Sequence, residues 1–193
     1  RDTVSLLGAP SLKGPREPTV AAMLEPLESA MGGRVMVDSG TGEFYLNIPG
    51  EGKMEMPLVA EGLRKFAMLA RLISTGVLLE KGYLFWDEPE TNLNPKLIKV
   101  LARSILTLSQ QGIQVFLATP SLFLMRELAV LSRDEQFRHI PTRYFALRAG
   151  EDGASTALEQ ASDIADIQTL VLLDEQLLQS DRFLETEESY ARD

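Results

Sequence analysis

Two adjacent carboxylates, Asp87 and Glu88, follow directly after four apolar residues in the segment YLFWDEPETNLNP, residues 83–95. A carboxylate fixed at the end of a buried strand can hold Mg²⁺ through its water shell, because this ion dehydrates reluctantly and prefers few protein ligands. A second carboxylate beside it can orient or deprotonate an attacking water. Such a pair suits phosphoryl transfer, in which positioning and charge neutralisation dominate. The alternative is a solvated loop in which Asp87 only caps a turn.

The elements around this acidic pair predict an α/β fold. Helices and strands alternate here, and they are predicted over residues 61–77 (helix), 83–87 (strand), 95–111 (helix), 113–118 (strand) and 121–138 (helix). The run over 83–87 is continuously apolar up to Asp87, which is typical of a strand covered on both faces and therefore of a parallel sheet. Ligands collect beyond the carboxyl ends of such strands, where the acidic pair lies.

Three divisions are predicted along the chain, an irregular segment or linker over 1–18, a folded lobe over 19–160, and a C-terminal helix with an acidic tail over 161–193. The lobe opens with a helix over 19–31 and two β-rich runs around a Gly-rich hairpin loop. Residues 142–148 and 154–159 could pair as a closing hairpin. The last helix is predicted over 163–185.

The composition narrows the classes of protein and of site. The net charge of -9 argues against a large phosphate-binding face, and the absence of Cys excludes disulfides and thiolate metal sites. The single histidine, His139, leaves little room for a histidine-rich metal site, and it is expected at the end of the helix over 121–138. No apolar run is long enough to span a bilayer, so we expect a cytoplasmic protein without a membrane partner. Because the chain begins with Arg1 and shows no signal peptide, we expect it to be a segment of a longer protein.

Four motifs in this order resemble the ATP-binding-cassette (ABC) superfamily, and within it the RecF, SMC and OLD-like ATPases often labelled AAA family ATPases. LVAEGLRKFAMLARLI (58–73) looks like the signature segment and its helix, and YLFWDEPE (83–90) resembles Walker B with the catalytic glutamate. TNLNP (91–95) resembles the D-loop, and VFLATPSLFL (115–124) the switch strand and loop. The similarity covers about residues 55–130. It implies a mostly parallel central sheet with flanking helices, as in the C-terminal lobe of an ABC-type, P-loop NTPase head.

The resemblance implies a role for each matching residue. Asp87 would be the magnesium-side Walker B residue, and Glu88 the base or the group that orients water. The D-loop residues that would line the contact with a second protomer are Asn92, Leu93 and Asn94, and the switch position is held by Pro120 and Ser121. Trp86 is expected in the core and Glu90 on the surface.

The signature residues would contact, by the same resemblance, ATP bound to the other subunit: Ala60, Glu61, Gly62, Arg64 and Lys65. There is a physical reason for glycine at position 62, because it lets backbone N–H groups at a helix start approach a phosphate closely. The alternative for Gly62 is a small residue needed near a helix start. For Arg64 and Lys65 the alternative is a solvated helix face.

The sequence departs from the family pattern at three places. No GxxxxGK[ST] motif occurs, and GEGKM at 50–54 fails because Asn47 replaces the first glycine and Met54 the hydroxyl residue. We therefore expect the C-terminal portion of a larger ATPase that lacks Walker A, with the N-terminal Walker A portion of the same protein as partner, and an isolated chain that is inactive. Ala60 stands where a serine is usual, which removes one hydrogen bond of about 1–2 kcal/mol. Pro120 stands at the switch histidine and offers neither a donor nor a base.

These observations leave three hypotheses for function. The first is an ATP-hydrolysing, Mg²⁺-dependent ATPase that forms a homodimer around ATP and controls an effector such as a nuclease, in DNA repair or phage defence. The second is a hydrolysis-deficient scaffold that dimerises with ATP. The third is a metal-dependent nuclease using Asp87, Glu88 and Glu90, which the acidic charge disfavours. A nucleic-acid partner stays open.

Overall fold

The chain folds as two compact units, residues 1–140 and 141–193, in a computed structural model that describes residues 7–8, 11, 17–38, 40–150, 155–168 and 170–190. Most of the predicted irregular segment over 1–18, and the tip of the predicted closing hairpin, lie outside the described residues. Each unit is described by itself below.

The first unit contains two sheets with helices between and after their strands. Its elements in chain order are α1 (Glu17–Met31), β1 (Arg34–Val37), β2 (Phe44–Ile48), β3 (Gly52–Glu55), a 3-10 turn (Met56–Leu58), α2 (Glu61–Ser74), α3 (Val77–Lys81), β4 (Tyr83–Asp87), α4 (Pro95–Gln110), β5 (Gln114–Ala118) and α5 (Leu122–Leu131). Strands β1, β2 and β3 form an antiparallel sheet, whereas β4 pairs with β5 in parallel. The predicted strand over 83–87 is therefore confirmed, and the predicted α/β class with it.

Helices α1, α2, α4 and α5 build the core of this unit. Helix α1 packs against α2 and α4, and α4 packs against α5. Each helix carries apolar residues three or four positions apart, so that one side of it is buried. The side chains with almost no exposed surface include Leu27, Phe66, Ile73, Leu101, Leu108 and Leu124. Burying one such side chain contributes about 1.5–3 kcal/mol, so these helices hold the loops of the site on a rigid base.

Strand β4 is covered on one face only, whereas its apolar run predicts cover on both. Trp86 is buried and Leu84 packs against the core, but Tyr83 and Phe85 are 51% and 69% exposed. The Phe85 ring stacks on the Phe116 ring of β5, with centroids 4.5 Å apart. Among the described residues β5 is also the one strand that pairs with β4, so the parallel part of the predicted sheet consists of this pair. The helices of the first unit pack against the other face.

Two predicted helices end earlier than expected. The helix predicted over 61–77 stops at Ser74, and Gly76 adopts a left-handed φ of 75° before α3 begins. The helix predicted over 121–138 ends at Leu131.

The segment after α5 turns because of Asp134. Its Oδ1 accepts a hydrogen bond from the Gln136 N–H, and its carbonyl oxygen accepts one from the Phe137 N–H. These bonds direct the Phe137 ring into the core, where it is fully buried. His139 consequently lies exposed in a turn and not at a helix end, as was expected.

The second unit contains a hairpin and a long helix. Strand β6 (Tyr144–Ala149) pairs with β7 (Thr156–Ala161) in antiparallel register, as predicted, and a 3-10 turn (Ile164–Asp166) and α6 (Val171–Tyr190) follow. The last helix was predicted from residue 163, but the Asp163 carboxylate accepts a hydrogen bond from the Ala165 N–H and caps the 3-10 turn instead. No helix among the described residues has the length and apolar character needed to cross a bilayer.

Candidate functional site

The acidic pair lies at the carboxyl ends of the two parallel strands. Asp87 is the last residue of β4 and stands opposite Ala118, the last residue of β5. The N–H of Glu88 donates a hydrogen bond of 2.8 Å to the carbonyl oxygen of Ala118, so the pairing extends one residue beyond the strand. Both acidic residues are exposed. Their backbone is thus fixed by the sheet while their carboxylates face solvent.

Glu88 adopts a backbone conformation that is rare for its residue type. Its φ is 42°, in the left-handed region, where a residue with a Cβ is strained by about 1–2 kcal/mol. Its carbonyl oxygen accepts a hydrogen bond of 2.7 Å from Lys65 Nζ, and its Oε2 accepts one of 3.1 Å from Thr91 Oγ1. Strained residues of this kind concentrate at functional sites, and the surrounding bonds hold this one in place.

Gly62 packs directly against the loop that follows the acidic pair. A Cβ built on Gly62 would lie 2.4 Å from the carbonyl oxygen of Asn92 and 2.8 Å from Leu93 Cδ2. The glycine is therefore needed for a close approach within one chain, which matches the small-residue alternative. The start of α2 and the predicted D-loop form one packed unit.

The predicted D-loop residues differ in what they do in the structure. Asn92 is exposed and has a left-handed φ of 66°, whereas Leu93 is half-buried beside Gly62. Asn94 is the N-cap of α4, and its Oδ1 accepts a hydrogen bond of 3.1 Å from the Leu97 N–H. Pro95 follows at the first helical position, which its fixed φ favours. Exposed Asn92 is the D-loop residue best placed to meet another molecule.

The predicted switch loop connects β5 to α5. Pro120 is exposed, and Ser121 is the N-cap of α5, with its Oγ accepting a hydrogen bond of 3.2 Å from the Leu124 N–H. The Ser121 N–H donates to Thr119 Oγ1 at 2.9 Å. Because Asp87 and Ala118 are opposite each other, this loop begins beside the acidic pair.

Glu90 is buried, and the expectation that it lies on the surface is wrong. It is 7% exposed, and its Oε1 accepts a hydrogen bond from the hydroxyl of Thr119. The proline at position 89 is also buried. The sequence DEPE contains no signal for this burial, since the donor lies 29 residues later in the switch loop.

The remaining signature residues lie at the start of α2. Ala60 is the N-cap and supplies no side-chain acceptor, so the first N–H groups of the helix receive no side-chain cap from it. Glu61 and Arg64 are exposed. Lys65, which was expected either at a phosphate or on a solvated face, bonds instead to Glu88 of its own chain.

The GEGKM segment does not form a phosphate-binding loop. Its Gly52–Lys53–Met54 part belongs to β3, and Lys53 Nζ lies over the Tyr45 ring at 4.4 Å from the centroid. A P-loop stands between a strand and a helix start, which is a different arrangement.

The carboxylates suit a water-mediated Mg²⁺ better than a metal held by several protein ligands. In the described part of the chain the Asp87 carboxylate is exposed and accepts no hydrogen bond, and no group of three or more His, Cys, Asp or Glu is arranged around a common point. Glu90 points to Thr119 and not to Asp87. The three carboxylates required by the nuclease hypothesis are therefore not brought together among the described residues.

Most of the predicted site residues meet in one region of the first unit. The start of α2, the loop after β4 and the loop after β5 are joined through Gly62 against Asn92, Lys65 to Glu88, and Glu88 to Ala118. Sequence reasoning missed the connecting residues Thr91 and Thr119, because a lone threonine in a polar turn carries no distinguishing pattern.

A family model described as "AAA domain, putative AbiEii toxin, Type IV TA system" matches residues 7–126, more than half of the chain. No curated protein matches the sequence.

Solved structures of SMC head domains share the fold. The SMC head domain of Thermotoga maritima matches with a TM-score of 0.50 and 13% identity, over 75% of this chain and 46% of that one. The Smc head of Pyrococcus furiosus, solved with the C-terminal domain of ScpA, matches with a TM-score of 0.54 and 14% identity, over 86% of this chain and 38% of that one. A chain from work on the ATP-driven dimerisation and DNA-stimulated activation of SMC ATPases matches with a TM-score of 0.54 and 13% identity, over 86% and 92%. This chain thus spans less than half of the two head domains named first.

The α/β fold of this chain is the P-loop NTPase fold that SMC heads share. The chain belongs to the family of AAA domains that this family model describes. The resemblance that the sequence motifs carry is thereby confirmed. Nucleotide binding is the common property of this family.

Proposed function

We propose that this chain is the C-terminal lobe of an ATPase head that dimerises around ATP and hydrolyses it to control an effector. The observation that carries the proposal is Glu88, an exposed carboxylate at the tip of a parallel strand in a strained conformation held from three sides. In this role the Glu88 carboxylate orients or deprotonates the attacking water. Asp87 holds Mg²⁺ through water at the neighbouring position.

The exposed face of the parallel strands supports a partner within the same ATPase. Tyr83, Phe85 and Phe116 present three aromatic rings to solvent on β4 and β5. Parallel strands are ordinarily covered on both faces, and large aromatic surfaces are ordinarily buried. We infer that the N-terminal Walker A portion of the same protein covers this face and supplies the phosphate-binding loop. The isolated chain is then expected to be inactive.

The contact between two protomers is proposed to involve the start of α2 and the D-loop. Arg64 is exposed beside the uncapped N–H groups of the first turn, where an anion is favoured. Asn92 is exposed on the adjoining loop. Both lie on one packed unit, so ATP bound to a second copy could contact this surface in trans. The SMC relative is described as dimerising with ATP, which agrees with the proposal.

Phosphate release by the complete protein tests the assignment of Glu88. Wild type should hydrolyse ATP, and Glu88→Gln should lower kcat at least about 100-fold, because a general base contributes about 10²–10⁴. Unchanged turnover would remove Glu88 from this role.

A hydrolysis-deficient scaffold is the second candidate function, favoured by Ala60 and Pro120. Neither residue offers the hydroxyl or imidazole usual at its position in the resembling family. This candidate predicts ATP-dependent association of the wild type without phosphate release. Cytoplasmic location, and a role in DNA repair or phage defence beside a nuclease effector, are extensions of the first candidate by analogy.

A further inference from the structure

The buried carboxylate of Glu90 connects the loop of the acidic pair to the switch loop. Its Oε1 accepts a hydrogen bond from the Thr119 hydroxyl, and the oxygen of that hydroxyl accepts one from the Ser121 N–H at 2.9 Å. The Thr119 hydroxyl therefore donates one hydrogen bond, to Glu90, and accepts another, from Ser121. We call this arrangement the Glu90–Thr119–Ser121 hydrogen-bond chain.

The hydrogen-bond chain reaches the start of a helix. Ser121 caps α5 through its own Oγ, which accepts from the Leu124 N–H, so the position of Ser121 sets where that helix begins. At the other end Glu90 lies two residues after Glu88. The backbone bond from the Glu88 N–H to the Ala118 carbonyl joins the same two loops a second time. A shift of the switch loop that leaves the Glu88 loop in place must therefore break these hydrogen bonds.

The burial of Glu90 is poorly explained by stability. Its second oxygen, Oε2, is buried and accepts no hydrogen bond from the residues that the structure describes. A buried carboxylate costs free energy unless both oxygens are satisfied, and an apolar residue or glutamine would cost less. A buried polar group with an unsatisfied oxygen needs an explanation other than stability. The hydrogen bonds of Glu90 indicate that it positions the two loops relative to each other.

We infer that Glu90 is a positioning residue which, through Thr119, fixes the switch loop at Pro120 and Ser121 relative to the Glu88 carboxylate. This inference rests on the proposed ATPase function. It assigns no chemistry to Glu90, whose carboxylate is buried and bonds to Thr119. It also gives Pro120 a place in the mechanism: a residue without a polar side chain can stand at the switch position because its neighbours hold the loop.

Variants that change one hydrogen bond at a time test the inference in the complete protein. Thr119→Val removes the hydroxyl at nearly constant volume and should lower kcat for ATP about tenfold, with KM changed less than about twofold. Thr119→Ser restores the hydroxyl and should restore kcat. Glu90→Ala should match Thr119→Val, and the double variant should be no slower than either single one, since both act through one path. Thr107→Val, at a half-buried position of α4 away from both loops, is the matched control and should leave kcat unchanged.

Amide hydrogen exchange at Ser121 gives a readout that does not need ATP. Exchange should rise about tenfold in Thr119→Val and in Glu90→Ala, and it should stay near wild type in Thr119→Ser. If the wild type releases no phosphate, the proposed ATPase function is wrong. The hydrogen-bond chain is tested separately, and unchanged exchange at Ser121 in Glu90→Ala would overturn it. If wild type hydrolyses ATP, then an unaffected kcat in Thr119→Val, or additive effects in the double variant, would overturn the positioning role.

Discussion

Lys65 Nζ lies 2.7 Å from the carbonyl oxygen of Glu88 and donates a hydrogen bond to it. The bond joins the second turn of α2 to the residue that follows β4, 23 positions later in the chain. Glu88 has a left-handed φ of 42°, and the hydrogen bond from the ammonium group helps to hold the backbone in this conformation. This hydrogen bond therefore joins the start of α2 to the loop after β4.

Replacing Lys65 should lower ATP turnover strongly and the free energy of unfolding only slightly. Lys65→Met keeps the aliphatic stem but removes the donor, so we expect a loss of only about 1 kcal/mol in the free energy of unfolding. We expect kcat for ATP to fall about tenfold, because Glu88 loses one of the bonds that hold its strained backbone. Thermal unfolding and phosphate release measure the two effects. Lys99→Met, at an exposed position of α4, should change neither, and an equal loss of kcat in both variants would refute the role of Lys65.

Relieving the strain at Glu88 should stabilise the protein at the expense of its chemistry. Glycine adopts a φ of 42° without the penalty of about 1–2 kcal/mol, and its own entropic cost is about 0.5–1 kcal/mol. Glu88→Gly should therefore be neutral or up to about 1 kcal/mol more stable in chemical unfolding, while turnover is lost. Destabilisation by more than about 1 kcal/mol would show that the side chain, through Thr91, matters more than the backbone strain.

Gly62→Ala should lower the free energy of unfolding, which is the opposite of the usual effect of this substitution in a helix. Alanine in place of glycine ordinarily stabilises a helix by about 1 kcal/mol. Here the new methyl group would lie 2.4 Å from the Asn92 carbonyl oxygen, which belongs to the backbone and cannot rotate away. We expect a loss of about 2–4 kcal/mol in urea unfolding.

Gly40→Ala provides the comparison for that substitution. Its methyl group would meet only the carboxylate of half-buried Asp38, at 3.3 Å, and should change stability by less than about 0.5 kcal/mol. Similar effects of the two substitutions would contradict the packing of the signature segment against the D-loop.

The sequence carried enough information to place the acidic pair and the helices that support it. The apolar run ending in Asp87 and the helical period that starts at residue 95 are local patterns with local physical causes, and the strand and the helix predicted from them are confirmed. The exposure of one face of β4 was not predictable. A continuous apolar run indicates that both faces of the strand are buried, but it does not indicate which part of the protein buries them. Glu90 was misplaced for a related reason. Its burial depends on Thr119, and no spacing rule connects two polar residues across a sheet.

The hairpin between β1 and β2 should lose stability in acid through Asp38. The N–H groups of Thr41 and Gly40 donate to the Asp38 carboxylate, and these bonds hold its pKa below the ordinary value. Because the folded pKa is lower than the unfolded one, the contribution is complete above the unfolded pKa and disappears as the pH falls through the folded pKa. NMR titration of the Asp38 carboxyl group should show the lowered pKa. Asp38→Asn should abolish this part of the acid sensitivity, and an unshifted titration would contradict the assignment.

ATP-dependent dimerisation of the Glu88→Gln variant tests the central claim most directly. Light scattering on the complete protein with ATP and Mg²⁺ should show a dimer that persists in Glu88→Gln, because the amide keeps the shape of the side chain but cannot act as a base. Wild type should return to monomer as ATP is consumed, and Glu80→Gln, an exposed substitution on α3, should behave as wild type. A Glu88→Gln protein that stays monomeric with ATP, or that dissociates as fast as wild type, would contradict the account.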